Sequence, residues 1–332
     1  MERSRPILSV VVPVLDEEGN IEALASAIAR ALEPLKDFEI IFVDDGSVDG
    51  SLGLLRKLAS ENPRLRYLSF TRNFGHQAAL RAGLTAARGE RIACMDGDFQ
   101  HPPELLPKLM EKMDLGFDVV NAIRLEPRRT PGPQGRHRSQ GAPGAFKRLS
   151  SRLFYSLINT LSDTRISPGA ADFRLLSRRA VDLLLSMKEA SLFIRGALPW
   201  LGLPTAELEY YPAPRRTGHS KYSLRRMFSL ALEGITSFSV RPLRLSAMAG
   251  AVVSISGFLY ALYALGMRLF TSRTVEGWTS LLISLLLIGG LQLLFLGLIG
   301  EYLGKLFMEA KGRPPYVLRE RSPDPDRMRK DA

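Results

Sequence analysis

The sequence predicts an α/β domain built on a mostly parallel sheet, followed by a two-helix membrane hairpin. Short apolar segments alternate with helix-length segments through the first 210 residues, and two long runs near the C-terminus carry no charge. The mean hydropathy of zero is therefore an average over two unlike parts.

The strand signals are Ile7 to Pro13, Phe38 to Val43, Leu65 to Phe70, Arg91 to Met95 and Phe117 to Asn121, each apolar or β-branched and bounded by Asp, Gly or Asn. Between them lie the helix-length stretches Ile21 to Leu35, Gly50 to Glu61, His76 to Arg88 and Pro103 to Leu115. Continuous apolar strands separated by helices predict a parallel sheet buried on both faces. Ligands in such sheets bind beyond the carboxyl ends of the strands, so the polar residues there are the candidate site.

The uncharged runs are Leu245 to Met267, 23 residues, and Gly277 to Gly300, 24 residues. At 1.5 Å per residue each reaches about 35 Å as a helix, enough for a hydrocarbon core of about 30 Å. Arg225, Arg226, Arg241, Arg244, Lys305, Lys311 and Arg313 flank the hairpin, against Arg268 and Arg273 in its turn. That bias predicts both termini in the cytoplasm. The N-terminus shows no apolar stretch of signal-peptide type. The expected organisation is a catalytic domain over 1–215, a basic amphipathic juxtamembrane segment over 216–244, two transmembrane helices over 245–302, and a cytoplasmic tail over 303–332 that is disordered after about 319.

The net charge of +11 is local. Residues 124–152 hold eight basic side chains against one acidic, and residues 215–244 hold seven against one, leaving the remaining chain at −2. Basic patches fit lipid headgroups or phosphorylated substrates. Nucleic acid is excluded as a partner, because the patches lack aromatic interleaving and sit beside a membrane hairpin. Cys94 is the single cysteine, which rules out a disulfide scaffold. The stretch from Glu126 to Gly144, rich in Pro, Gly and Arg, reads as a mobile loop.

Carboxylates cluster at the predicted strand ends. The first strand is followed by Pro13-Val-Leu-Asp-Glu17, the second by Asp44-Asp45-Gly-Ser, and the fourth by Asp96-Gly97-Asp98-Phe-Gln100-His101-Pro-Pro-Glu. Carboxylates in such places cost desolvation unless they bind something. Asp96 and Asp98, separated by one glycine, can turn toward one point, and Gln100 can add an amide oxygen. Three such oxygens suit Mg²⁺ or Mn²⁺ carrying a diphosphate. His76, His101 and His219 lack metal-ligand spacing, and His101 is expected to cap the helix that starts at Pro102.

PVLDE, VDDGS, RNFGHQAALRAGL and MDGDFQHPPE, in this order and spacing, resemble the family 2 glycosyltransferases of GT-A fold. The continuation through Gly169-Ala-Ala-Asp172-Phe-Arg174 and Arg215-Arg-Thr-Gly-His-Ser220-Lys221-Tyr222, then a two-helix hairpin, resembles the polyprenyl-phosphate hexosyltransferases, relatives of dolichyl-phosphate mannose synthase and of bacterial undecaprenyl-phosphate glucosyltransferases. The likeness covers about residues 6 to 312. One departure is Leu15-Asp16, where the family usually has Tyr-Asn.

The resemblance implies an inverting, metal-dependent enzyme that transfers a sugar from a UDP- or GDP-linked donor to polyprenyl phosphate on the cytoplasmic face, supplying cell-envelope glycan or lipid modification. It implies nucleotide-sugar contacts from Pro13, Leu15, Glu17, Asp44, Asp45, Gln77, Asp96, Gly97 and Asp98. Arg72, Asn73 and Arg81 are second-rank donor contacts, Arg81 equally a solvated helix residue. Asp96, Asp98 and Gln100 would hold the metal, Asp98 counting also among the catalytic residues. Arg124, Lys147, Arg148, Ser151, Arg215, Ser220 and Lys221 would contact the acceptor and its phosphate. Asp172 is the family's catalytic base, or an orienting carboxylate, since an acceptor phosphate is mostly ionised near pH 7. The family makes a homo-oligomer plausible. A processive polysaccharide synthase would need a Q-x-x-R-W motif, which is missing. The full set of donor-site carboxylates argues against a non-catalytic lipid-carrier protein.

Overall fold

A computed structural model describes residues 5–35, 37–125, 170–189, 192–211, 241–270 and 277–323. They divide into two units: the sheet with its helices and residues 313–323, and the two long C-terminal helices. The expected loop over 126–144, most of the juxtamembrane segment and the turn between the long helices lie outside the described residues.

In the first unit the chain runs β1 (Leu8–Val14), α1 (Glu18–Ala31), β2 (Phe38–Asp44), α2 (Ser51–Glu61), β3 (Leu65–Phe70), α3 (His76–Ala86), β4 (Arg91–Cys94), a 3₁₀ turn at Pro103–Leu105, α4 (Leu106–Met113) and β5 (Val119–Arg124). It continues with β6 (Ala170–Ser177), α5 (Arg178–Ser186), α6 (Ile194–Trp200) and β7 (Thr205–Tyr210), and closes with β8 (Leu318–Arg321). The sheet order is β7-β5-β6-β4-β1-β2-β3-β8. Strand β1 pairs in parallel with β2 on one side and β4 on the other. The direction of winding reverses at β1, which opens a crevice at its carboxyl end.

Every residue of β1 and β2 is buried, which explains why neither strand alternates polar with apolar. On one face Val10, Val12, Ile40 and Phe42 pack with Ile21, Leu24 and Ile28 of α1 and Leu52 and Leu55 of α2. On the other, α3 lies close against β1: a Cβ on Gly83 would collide with Val11 Cγ1 and approach Val43 Cγ2 to 3.2 Å.

Three pairings are antiparallel: β4 with β6, β5 with β6, and β3 with β8. Strand β6 lies between β4 and β5, and its register sets Arg174 opposite both Cys94 and Asn121. Cys94 is buried, and burial pushes its thiol up to about 12, so it behaves as a core residue.

The tail departs from expectation. Disorder was expected from about 319, yet Leu318–Arg321 forms the edge strand beside β3. Tyr67 N donates to Ser322 Oγ at 3.1 Å, and Arg56 and the Tyr67 hydroxyl both donate to Glu320. Tyr316 stacks on Phe70, ring centroids 5.0 Å apart. The strand's sequence, Leu-Arg-Glu-Arg, has no apolar pattern because the edge it forms is largely exposed.

The second unit holds α7 (Arg241–Phe270) and α8 (Trp278–Ala310). Both are long and apolar enough to cross a membrane, with candidate spans at Leu243–Met267 and Leu287–Ala310. Phe258, Leu259, Leu262, Leu293 and Leu296 are exposed. Helix α8 continues ten residues beyond the uncharged run that ends at Gly300, passing Glu301 and Lys305.

Two stability outcomes follow from the packing. Gly83→Ala gains about 1 kcal/mol of helix propensity, but overpacking against the stiff Val11 costs about 1–3 kcal/mol. A melt of the variant in detergent should therefore show a lower Tm. Ser322→Ala removes a buried partner of the Tyr67 amide and should cost about 1 kcal/mol, a fall of roughly 2–4 °C for a domain of this size. An unchanged melting curve would mean that the strand is not held there in solution.

Candidate active site

The loops after β1 and β2 are laced by reciprocal hydrogen bonds. Asp16 has φ +55, a conformation Asp tolerates. Its amide donates to Ser47 Oγ at 2.9 Å, and its carboxylate accepts from Val48 N at 2.9 Å. Glu17 N donates to Ser51 Oγ at 3.1 Å, and Glu17 Oε2 accepts from the Asn20 amide. Leu15, at the mouth of this cradle, is 41% exposed.

Asp44 and Asp45 are buried at the end of β2. Asp44 accepts from Ser47 N at 3.0 Å and from Ser69 Oγ at 2.7 Å. Asp45 accepts from Phe74 N at 2.7 Å and Gly75 N at 3.0 Å. Burial raises its pKa, against the lowering effect of those two amides. Gly46 is required here, with φ +76 and a virtual Cβ only 2.8 Å from Arg72 Cα. Asp45 thus ties residues 74 and 75 to the end of β2, and Asp44 ties the turn after β2 to β3.

At the end of β4, Gly97 packs against β1, where a Cβ would lie 2.9 Å from Val14 Cγ1 and 3.2 Å from Pro13 O. Asp96 N donates to His101 Nδ1 at 2.9 Å. His101 is buried, stacks on Phe173 with centroids 5.0 Å apart, and burial lowers its pKa. Its role is to fix the Asp96 backbone, not to cap the following helix as expected. Asp98 accepts from Gln100 N at 3.1 Å and from the Gln100 side-chain amide, whose oxygen accepts from Arg124 at 2.9 Å. Asp96 Oδ1 is buried without a hydrogen-bond partner. A buried carboxylate oxygen of that kind is costly alone and suits a cation.

Asp172 on β6 is 3% exposed and ringed by donors. Its Oδ1 accepts from Arg174 Nη2 at 3.0 Å and Arg195 Nε at 2.8 Å; its Oδ2 accepts from Arg195 Nη2 at 2.8 Å and meets His76 Nε2 at 3.0 Å. Burial acts to raise its pKa, but the bonds from His76 and Arg195 and the charge of Arg174 prevail and hold it well below the carboxylate range. His76 Nε2 also lies 3.6 Å from Asp96 Oδ1. Burial lowers the His76 pKa, and the two carboxylates overcome this and raise it. Ligand atoms of His76, Asp96 and Asp172 all fall within 4.8 Å of one another.

His76 and Arg195 are therefore site residues that sequence reasoning missed. The preceding Gly75, at φ +100, starts α3 so that His76 faces β4 and β6, a signal visible only in the fold. Gln77 Oε1 accepts from Ile194 N at 3.2 Å and ties α3 to the helix carrying Arg195. Arg81 donates to the carbonyls of Met187 and Glu189, and Arg72 lies over the Phe74 ring at 4.0 Å. Arg124 ends β5 and reaches Gln100. Lys147, Arg148, Ser151, Arg215, Ser220 and Lys221 lie outside the described residues.

Residues 9–185 match the model of glycosyl transferase family 2. A prophage bactoprenol glucosyl transferase homolog of Escherichia coli (strain K12) is 38% identical over 314 residues, 94% of this chain and 98% of the relative. An uncharacterized glycosyltransferase of Bacillus subtilis (strain 168) is 38% identical over 313 residues, 94% of this chain and 93% of its own. Among solved structures, a mannosyltransferase of Pyrobaculum calidifontis in complex with GDP-Man and Mn²⁺ is 17% identical, with a TM-score of 0.48 over 81% of this chain and 84% of that one. With a family model spanning more than half of its length and relatives matching nearly all of it, the chain belongs to glycosyl transferase family 2.

Proposed function

We propose that this chain moves a hexose or modified pentose from a UDP- or GDP-linked donor to a polyprenyl phosphate of the bactoprenol type, with inversion at the anomeric carbon. The observation that carries the reading is Asp96, whose buried oxygen lacks a partner at the crevice where β1 and β4 end. The relatives named as bactoprenol glucosyl transferases support the acceptor class.

In this reading Pro13, Leu15, Glu17, Asp44, Asp45 and Gly97 form the nucleoside side of the cradle. Asp96 and Asp98 would hold Mg²⁺ or Mn²⁺, and Gln100 would add its amide oxygen. That ion, when bound, neutralises charge on the departing nucleoside diphosphate. His101 keeps the Asp96 backbone in place, as partners behind metal ligands do elsewhere.

Arg124 receives the acceptor phosphate together with Lys147, Arg148 and Ser151, while Arg215, Ser220 and Lys221 close over the phosphates. An acceptor oxygen forms the new bond to the anomeric carbon as the bond to the diphosphate breaks on the opposite face. A phosphate monoester with second pKa near 6 needs little help from a base at neutral pH. Asp172, saturated with donors, fits an orienting role better than proton removal.

The two long helices anchor the chain in the membrane with both termini cytoplasmic, following the flanking charge bias. The product then serves cell-envelope glycan or lipid modification.

Washed membranes incubated with a panel of labelled nucleotide sugars should incorporate label into the lipid fraction from at least one donor. If none labels lipid, the transfer reading fails. With that donor and Mg²⁺ present, Asp96→Ala and Asp98→Ala should each lower transfer about 100-fold or more while the protein still inserts. Full activity in both variants would remove the metal assignment.

A further inference from the structure

We propose that Arg195 is a phosphate contact of this centre and that Asp172 is its positioning residue. The inference rests on the transfer reading above and assigns a residue outside the sequence motifs that suggested it. The ligand class is a phosphoester oxyanion, supplied either by the donor diphosphate or by the acceptor phosphate.

The two partners of the Asp172–Arg195 pair sit in different environments. Asp172 is 3% exposed and Arg195 is 34% exposed. Two N–H groups of Arg195, on Nε and Nη2, meet the two oxygens of Asp172 at 2.8 Å each. A bidentate contact of this kind fixes the plane of the guanidinium. A buried carboxylate that grips a partly exposed arginine through two bonds holds that cation in one orientation.

What the cation faces follows from its neighbours. His76 Nε2 links Asp172 Oδ2, at 3.0 Å, to Asp96 Oδ1, at 3.6 Å. The oxygen of Asp96 that lacks a partner is thus one imidazole nitrogen away from the carboxylate that holds Arg195. Any phosphate brought to Asp96 and Asp98 meets two negative side chains and needs positive charge beside them. Arg124 supplies it from β5, and Arg195 supplies it from α6. Arg174 does not serve, because it is buried.

The same contacts argue against Asp172 as the residue that removes a proton. It already accepts from two arginines and meets His76, which holds its pKa well below the usual range despite burial. Gln77 supports the arrangement by accepting from Ile194 N, the residue before Arg195.

The test is steady-state transfer by the full-length protein in membranes, varying donor and acceptor separately. Arg195→Ala should lower kcat/KM for one phosphate substrate about 10- to 100-fold, the range for losing a hydrogen bond to a charged group. Arg195→Lys should recover part of that loss, and added guanidinium ion should partly rescue Arg195→Ala but not Asp172→Ala. A rise in acceptor KM identifies the acceptor phosphate as the source of the oxyanion. A rise in donor KM, or a fall in kcat alone, identifies the donor diphosphate. Asp172→Asn should lose activity comparably, and the Asp172→Asn/Arg195→Ala double variant should be little worse than Arg195→Ala, as expected for residues acting as one unit.

Wild-type kcat and KM in Arg195→Ala would overturn the proposal, as would losses that multiply in the double variant. If Arg195→Ala fails to fold, Arg195→Gln and Arg195→Lys carry the comparison. If wild-type protein labels no lipid, the transfer reading has failed, and Arg195 is read by calorimetry instead. Binding of UDP, GDP or a short-chain polyprenyl phosphate at least tenfold weaker in the variant supports the contact; unchanged binding of all three overturns it.

Discussion

The pairing of β1 with β2 on one edge and β4 on the other is the constraint on which the rest of this molecule depends. Val10 is in register with Ile40 on one side and Ala93 on the other, and both faces of the strand are covered by helices. A strand enclosed this way carries a polar side chain only where that side chain is paired, as Ser9 is with Glu39 of β2. Because β1, β2 and β4 run in parallel, the carboxylates at and after their ends gather at one end of the sheet. The crevice there exists because the chain winds outward from β1 through β2 and β3 and then returns to its other side.

At that crevice the carboxylates divide into three groups by the way they are satisfied. Asp44, Asp45 and Asp16 accept from nearby amides and hydroxyls and give the loops after β1, β2 and β3 their shape. Asp172 instead neutralises arginines inside the protein, while Asp96 keeps one buried oxygen without a partner. Like carboxylates thus stand in different settings: three shape loops, one neutralises arginines, and one keeps a buried oxygen without a hydrogen bond. His76 lies between the last two and responds to both, so its charge is coupled to theirs.

The sheet unit also takes strands from far along the sequence. Strand β7 forms one edge and β8 the other, and the two long helices lie between them in the chain. The segment holding the two long apolar helices is therefore an insertion in the chain between two edge strands of one sheet, not an appendage after a finished domain. Covering β3 with β8 also hides an edge that would otherwise be open to pairing. A truncation meant only to remove the long helices has to retain residues 313–323, or it removes part of the sheet as well.

Much of this was written locally. The apolar strands, the helices between them, Gly46 and Gly97 at their tight approaches, the Asp96–Asp98 pair and the uncharged runs are local patterns, each enforced by burial, backbone conformation or helix length. The family resemblance also named Asp172, but not what it does. His76 and Asp172 are 96 residues apart, and Arg195 reaches Asp172 from a separate helix; only the antiparallel register of β6 and the packing of α3 brought them together. Gln77 and His101 became supports for the same reason, since their partners are chosen by neighbouring elements. Strand β8 was illegible because an exposed edge strand is held by backbone hydrogen bonds and ion pairs, which leave no apolar period to read. The sequence by itself determined which elements form and where carboxylates collect. The tertiary structure decided which of those carboxylates are neutralised from within and which one keeps an oxygen without a hydrogen bond, because that depends on distances between residues that no local pattern encodes.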